Sequence, residues 1–148
     1  DGSIVCTASV AGLRGGANMP SYYASKHGVL GLVKAAACEF APHRVRVNAV
    51  CPGVIDTPIL GPAHGVTPIT DLLGQIHLLG RVGQPEEVAQ LVSFLASMHS
   101  SFITGVAYPI DGGMTAAIGG GSARSMSEED QQKLFEELAA SAPNESGS

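Results

Sequence analysis

The sequence predicts an α/β fold, part of a doubly wound parallel sheet with about three strands and flanking helices. Short apolar runs at residues 3–8, 44–51 and 104–110 read as strands. Segments of helical period at 21–41 and 85–97 lie between them. The order strand, helix, strand, helix, strand implies right-handed βαβ units, whose ligands bind at the carboxyl ends of the strands.

The first run, Ile4-Val5-Cys6 with its neighbours, is nearly continuous and suits a parallel strand buried on both faces. Residues 9–20, rich in Gly and Ala, read as a loop. The helix at 21–41 carries Tyr22, Val29, Leu32, Val33, Ala36 and Phe40 at its apolar positions, and Pro42 lies just past its end. Gly28 and Gly31 each weaken it by about 1 kcal/mol relative to Ala, so a second backbone is expected close to them. The second strand ends at Pro52-Gly53. Residues 59–80, broken by Gly61, Pro62, Gly65 and Pro68, read as an irregular insert of the kind from which a substrate lid is built. Pro85-Glu86-Glu87 opens the next helix, with proline in the first turn and acids at the positive end. Asp111-Gly112-Gly113 closes the third strand. Residues 119–122 read as a flexible linker, 127–140 as an amphipathic helix with Leu134, Phe135 and Leu138 on one face, and 143–148 as a disordered tail.

A net charge of −5 argues against nucleic acid or an anionic membrane as the main partner. No run of about 18 apolar residues is present, and the chain reads as cytoplasmic with no secretory signal. Cys6, Cys38 and Cys51 read as buried small hydrophobes in a reducing compartment. The five histidines lack metal-ligand spacing and read as structural or surface groups, so no metal is expected.

Ser9, Tyr22 and Lys26 carry the chemistry. Tyr22 and Lys26 are four apart and share a helix face. An ammonium beside a phenol favours the phenolate, and a serine hydroxyl can hold a carbonyl or alkoxide oxygen next to both. Such a set moves a proton on or off an alcohol oxygen. Ser9 lacks the glycine two places earlier that a hydrolase nucleophile elbow needs. The plainer alternatives are a turn-forming serine, a surface Tyr/Lys pair, Thr57 as a helix cap and Arg14 as a solvated loop residue.

Thr7-Ala8-Ser9-Val10-Ala11-Gly12, Tyr22-Tyr23-Ala24-Ser25-Lys26, the run from Arg46 through Asn48-Ala49-Val50-Cys51-Pro52-Gly53-Val54-Ile55-Asp56-Thr57-Pro58, Gly80-Arg81-Val82-Gly83-Gln84-Pro85-Glu86-Glu87, and Ile103-Thr104-Gly105 with Asp111-Gly112-Gly113 occur in that order. Together they strongly resemble the classical short-chain dehydrogenase/reductase family, over residues 1–116. Tyr23 is excluded as the motif tyrosine because His27 stands four places on. The resemblance implies an NAD(P)-dependent oxidoreductase acting on an alcohol or ketone, with a partial Rossmann-like sheet. It implies Tyr22 as acid/base, Lys26 as its modulator and ribose partner, and Ser9 as the group that orients the substrate carbonyl. Pro52, Gly53, Val54, Ile55 and Thr57 would lie along the nicotinamide of NAD or NADP, with the Ile55 backbone on its carboxamide. A homo-oligomer through the helix carrying Tyr22 is also implied.

The sequence departs from the family in one large respect. The Gly-rich dinucleotide loop, the residue that selects NAD or NADP and the active-site Asn are not found in it, and Gly15-Gly16 and Gly119-Gly120-Gly121 are no substitutes. The chain resembles the C-terminal half of such an enzyme. The first strand is therefore expected to lack a neighbour and to expose an apolar edge. The alternative reading is a truncated, non-catalytic remnant serving as an interaction module.

Overall fold

A computed structural model describes residues 1–116 together with Ser127, Glu129, Gln132, Lys133 and Glu136. Strands β1 (Gly2–Thr7), β2 (Val45–Pro52) and β3 (Ala107–Ile110) form one parallel sheet in the order β1-β2-β3. Helix α1 (Pro20–Phe40) connects the first two strands; α2 (Thr67–Gly74) and α3 (Pro85–Ala96) lie between the second and third. This is the expected doubly wound arrangement. The expected linker, apolar helix face and tail beyond residue 116 lie outside the described residues, apart from Glu129, Gln132, Lys133 and Glu136, which are helical.

Side-chain alternation along β2 puts helices on both faces of the sheet. Val47, Ala49 and Cys51 pack with Ala8, Val33 and Ala37 to form the core under α1. On the opposite face, Arg46 donates to the carbonyls of Leu95 and Ser97 at 2.9 and 3.0 Å, tying the end of α3 to the strand. Ser3 Oγ donates to the same Leu95 carbonyl at 2.8 Å. Asn48 is buried in β2 and uses both ends of its amide, Nδ2 to Ile103 O at 2.9 Å and Oδ1 from Val106 N at 3.1 Å. With Thr104 Oγ1 accepting from Val47 N, these side-chain bonds supplement two backbone bonds before Ala107, Gly105 N to Val47 O at 2.7 Å and Ala49 N to Val106 O at 2.8 Å. Gly105, at φ 75°, turns the chain there, which is why β3 starts three residues after the predicted Thr104.

Four expectations need correction. β1 is not buried on both faces: Ile4 is 43 % exposed, because β1 is the sheet edge and the described residues supply no strand beyond it. Nothing in the described chain lies within 4 Å of a Cβ placed at Gly28 or Gly31, so no backbone of the described residues packs there; both face outward on α1 beside Leu32, which is 63 % exposed. Cys38 is exposed on the same helix, while Cys51 alone of the three cysteines is fully buried. The helix instead buries Val33 and Ala37, backed by Val29, Leu30 and Ala36 at the expected spacings. The insert at 59–80 is more ordered than its glycines and prolines suggest, folding into a 3-10 segment (Pro58–Ala63) and then α2.

Two close approaches fix the site's two walls. A Cβ at Gly12 would fall 2.7 Å from the Lys26 carbonyl oxygen, so the turn after β1 packs backbone to backbone on α1. A Cβ at Gly53 would fall 2.8 Å from His77 Nε2 and 3.0 Å from Asp111 Cα, so the ends of β2, α2 and β3 converge on that glycine. His77 is 1 % exposed. Burial holds it below the ordinary histidine range, against the carbonyls of Leu73 and Gly74 and the charge of Asp111, which pull it up.

Gly12→Ala is expected to destabilise the fold by about 1–3 kcal/mol through overpacking, read from the urea midpoint. The buried neutral His77 binds a proton more weakly folded than unfolded, so its contribution to stability is complete above 6.5 and is lost as pH falls towards the folded value. The urea midpoint should therefore drop as pH falls below 6.5, and the drop should flatten in His77→Gln.

Candidate active site

The parallel register pairs Thr7 with Val50, so the chain leaves β1 and β2 at the same edge. Ser9 opens a 3-10 turn (Val10–Gly12) in extended conformation and is 8 % exposed. Its Oγ accepts from the Ala11 amide at 3.1 Å, which leaves the hydroxyl proton for an outside acceptor. The turn-forming role read from sequence thus coexists with an available hydroxyl.

Tyr22 lies in the first turn of α1 and is 39 % exposed. Lys26 follows one helical turn later, its Nζ 5.7 Å from the Tyr22 ring centroid and 3.4 Å from the Thr7 carbonyl at the end of β1. The ammonium therefore bridges the strand end and the phenol, while the carbonyl of the same lysine rests on Gly12. Tyr23 has a different task. Its hydroxyl fills the space a Cβ at Gly16 would take, and its ring meets Tyr22 edge-on at 6.4 Å. Arg14 is exposed but not merely solvated, since its guanidinium donates to the Thr115 carbonyl.

Cys51 joins the two walls. The Ser9 amide, Lys26 and Asp111 all lie close enough to act on its thiol. Burial raises the thiol above its ordinary range, and the Asp111 charge adds to that; the Ser9 amide and Lys26 oppose it. Cys51 is thus a packing residue between Ser9 and the loop that follows.

The second wall is the segment Pro52–Thr57. Gly53 N donates to Ile110 O at 3.0 Å, Val54 N to His77 Nε2 at 3.1 Å, and Asp56 N to Gly83 O at 2.9 Å. Gly83 N returns a bond to Val54 O at 2.9 Å, giving a short parallel bridge between Ile55 and Gly83. Between Gly53 and Asp56 only the Ile55 N–H has no partner among the described residues, and the Thr57 N–H beyond them is likewise unpaired there. Thr57 precedes the 3-10 segment without a side-chain cap bond; its Oγ1 donates back to Ile55 O at 3.3 Å. The cap reading of Thr57 is therefore not what its hydroxyl does. A free amide at Ile55, beside a Gly53 that carries no Cβ, suits a flat amide-bearing ring such as nicotinamide.

Sequence reasoning missed what supports this wall. Arg81 pairs in bidentate fashion with Glu87 at 2.7 and 2.8 Å, which holds the Glu87 carboxyl down to about 2 together with the Gln84 amide. Both residues flank Gly83. The Asp111 carboxylate accepts from Gly113 N, Thr115 N and Thr115 Oγ1 at 3.0, 2.8 and 2.6 Å. Burial would raise Asp111, yet those donors and His77 prevail and lower it. A cavity of about 130 Å³ lies behind the loop, lined by Val54, Ile55, His77, Gly83, Ile110 and Asp111. None of Ser9, Tyr22 and Lys26 borders it, so it is not where a substrate would meet the phenol.

Known proteins are similar to this chain in sequence and in fold. A family model described as enoyl-(acyl carrier protein) reductase matches residues 1–115. Cyclohexanol dehydrogenase of Acinetobacter sp. (strain SE19) is 49 % identical over 115 residues, covering 78 % of this chain and 44 % of its own length. The aldohexose dehydrogenase of Thermoplasma acidophilum superposes with a TM-score of 0.73 at 38 % identity, over 85 % of this chain and 51 % of that one. ElxO, solved with NADP bound, gives 0.72 at 37 % identity over 78 % and 47 % of the two chains. The chain spans about half the length of these relatives or less. Matches of this extent to both the sequence and the sheet place the chain in the short-chain dehydrogenase/reductase family.

Proposed function

We propose that this chain carries the proton-transfer and nicotinamide side of an NAD(P)-dependent oxidoreductase acting on a small alcohol/ketone pair. The observation that carries this reading is the placement of the Lys26 ammonium 5.7 Å from the Tyr22 ring, at the sheet edge from which the Pro52–Thr57 loop also leaves. Tyr22 is the acid/base: in the reducing direction its O–H gives a proton to the carbonyl oxygen, and in the oxidising direction the phenolate takes it back. Lys26 stabilises the phenolate, and Ser9 donates its free proton to the same substrate oxygen. Pro52, Gly53, Val54, Ile55 and Thr57 form the wall for the nicotinamide, with the Ile55 N–H on its carboxamide and Lys26 on the adjoining ribose. NAD or NADP, when bound, supplies or accepts the hydride at the substrate carbon.

Cyclohexanol dehydrogenase and ElxO support an alcohol substrate and a nicotinamide cofactor respectively. The substrate wall falls to residues 57–65, where Ile59 is 87 % exposed. Gly28, Gly31 and the exposed Leu32 give α1 a low outward face, flanked by exposed His27 and Lys34, which supports association of two copies there. No described helix is long and apolar enough to cross a membrane, and the three free cysteines suit the cytoplasm.

Tyr22→Phe should lower the rate of cyclohexanol oxidation by about 10²–10⁴ while NADPH binding persists. A rate equal to wild type would reject Tyr22 as the acid/base. Gly53→Ala should weaken NADPH or NADH binding by about tenfold or more in a fluorescence titration, because its Cβ drives the wall off His77.

A further inference from the structure

Behind the second wall stands one buried group that the proton-transfer chemistry does not use. His77 follows α2 in the apolar run Ile76-His77-Leu78-Leu79 and is 1 % exposed. Its Nε2 receives the Val54 amide at 3.1 Å. An amide N–H can only donate, so Nε2 must carry the lone pair and the proton must sit on Nδ1. Nδ1 is buried towards the carbonyls of Leu73 and Gly74, without a hydrogen bond of good geometry to either. The ring is fixed by packing on both sides: a Cβ at Gly53 would collide with Nε2, and a Cβ at Gly112 would lie 3.3 Å from His77 Cβ.

We propose that His77 is a positioning residue for the nicotinamide wall, whose neutral Nδ1–H tautomer holds the Val54 amide inward and thereby turns the Ile55 N–H out towards the carboxamide. Val54 and Ile55 are adjacent in an extended bridge, so their amides point to opposite sides. Fixing the first inward fixes the second outward. The Gly83 bond to Val54 O orients the peptide plane that carries the Ile55 N–H and so shares this task with His77, but it leaves the Val54 N–H without a substitute partner. An apolar ring in place of His77 would fill the space and strand that amide. The residue touches no reacting atom; it acts through the loop. The cofactor part of this inference rests on the functional reading above, whereas the hold on Val54 is a property of the chain alone.

The test separates the two. In ¹⁵N-labelled protein without cofactor, His77 should show a protonated Nδ1 and an unprotonated Nε2 near neutral pH; the reverse tautomer overturns the proposal. Hydrogen exchange of the Val54 amide should quicken about tenfold in His77→Phe and stay near wild type in His77→Gln, whose Oε1 can accept. Equal exchange in wild type and His77→Phe overturns it as well. NADPH affinity should then fall about tenfold in His77→Phe and recover in His77→Gln, and equal affinity for wild type and His77→Phe sinks the positioning role. A wild-type chain with no affinity for NADPH or NADH would reject the nicotinamide wall and the outward role of Ile55 with it. In that case the exchange rates still decide whether His77 holds Val54.

Discussion

The parallel register of β1 on β2 is the constraint on which the site depends. Pairing Thr7 with Val50 brings two chain exits to one edge: the turn that begins at Ser9 and the loop that begins at Pro52. A slip of one residue would turn every β2 side chain over, taking Val47, Ala49 and Cys51 off α1 and Arg46 off the α3 carbonyls. The register is therefore fixed by burial on both faces of β2, and the chemistry inherits its geometry from that burial. The Gly12 contact then carries the placement to α1. Because the turn meets the Lys26 carbonyl directly, the first two turns of the helix, with Tyr22 and Lys26, are located relative to Ser9 by backbone rather than by flexible side chains.

The two walls are built by different physics. The proton-transfer wall is a helix on a strand end, stiff because backbone packs on backbone. The second wall is a loop, and a loop must account for each of its amides. Here the accounting uses partners distant in sequence: Ile110, His77 and Gly83 each satisfy one N–H of the run from Gly53 to Asp56. The Arg81–Glu87 pair holds the Gly83 strand in turn, through exposed groups that screening weakens. Buried His77 is the stiffer of the two supports.

Much of this was legible in the sequence. The strand and helix periods gave the sheet, and Ser9, Tyr22, Lys26 and the Pro52–Thr57 run could be named from spacing and motif. What was not legible has physical causes. The full burial expected of the first strand was wrong because a run such as Ile4-Val5-Cys6 records apolarity, not whether a neighbour covers it. A single histidine inside Ile76-His77-Leu78-Leu79 has no period and no partner in sequence; only the fold brings it 3.1 Å from Val54 N. The reason for Gly53 was hidden for the same cause, since the atoms that forbid a Cβ belong to His77 and Asp111, far along the chain. Gly28 and Gly31 meet no backbone of the described residues, because small residues fit a close approach without requiring one within the chain.

The segment after the second wall shows how precision and adaptability can share one strand end. Asp56 Oδ1 accepts from His64 Nδ1 at 2.9 Å and from Gly65 N at 3.0 Å, closing residues 57–64 into a loop clasped at its neck. Gly61 and Gly65, both at positive φ, supply the bends this closure needs. The clasp holds the base of the loop, while Ile59 at its crown is almost fully exposed and packs on nothing that would fix its identity. Substitution at the crown would change what the loop offers a substrate without disturbing Val54, Ile55 or the sheet beneath. The clasp begins at Asp56, whose own amide is already bound to Gly83, so movement of the crown ends at a residue that is anchored. In this fold the groups proposed to move protons and seat the nicotinamide belong to the anchored body, and the surface proposed to choose the substrate is the part free to vary.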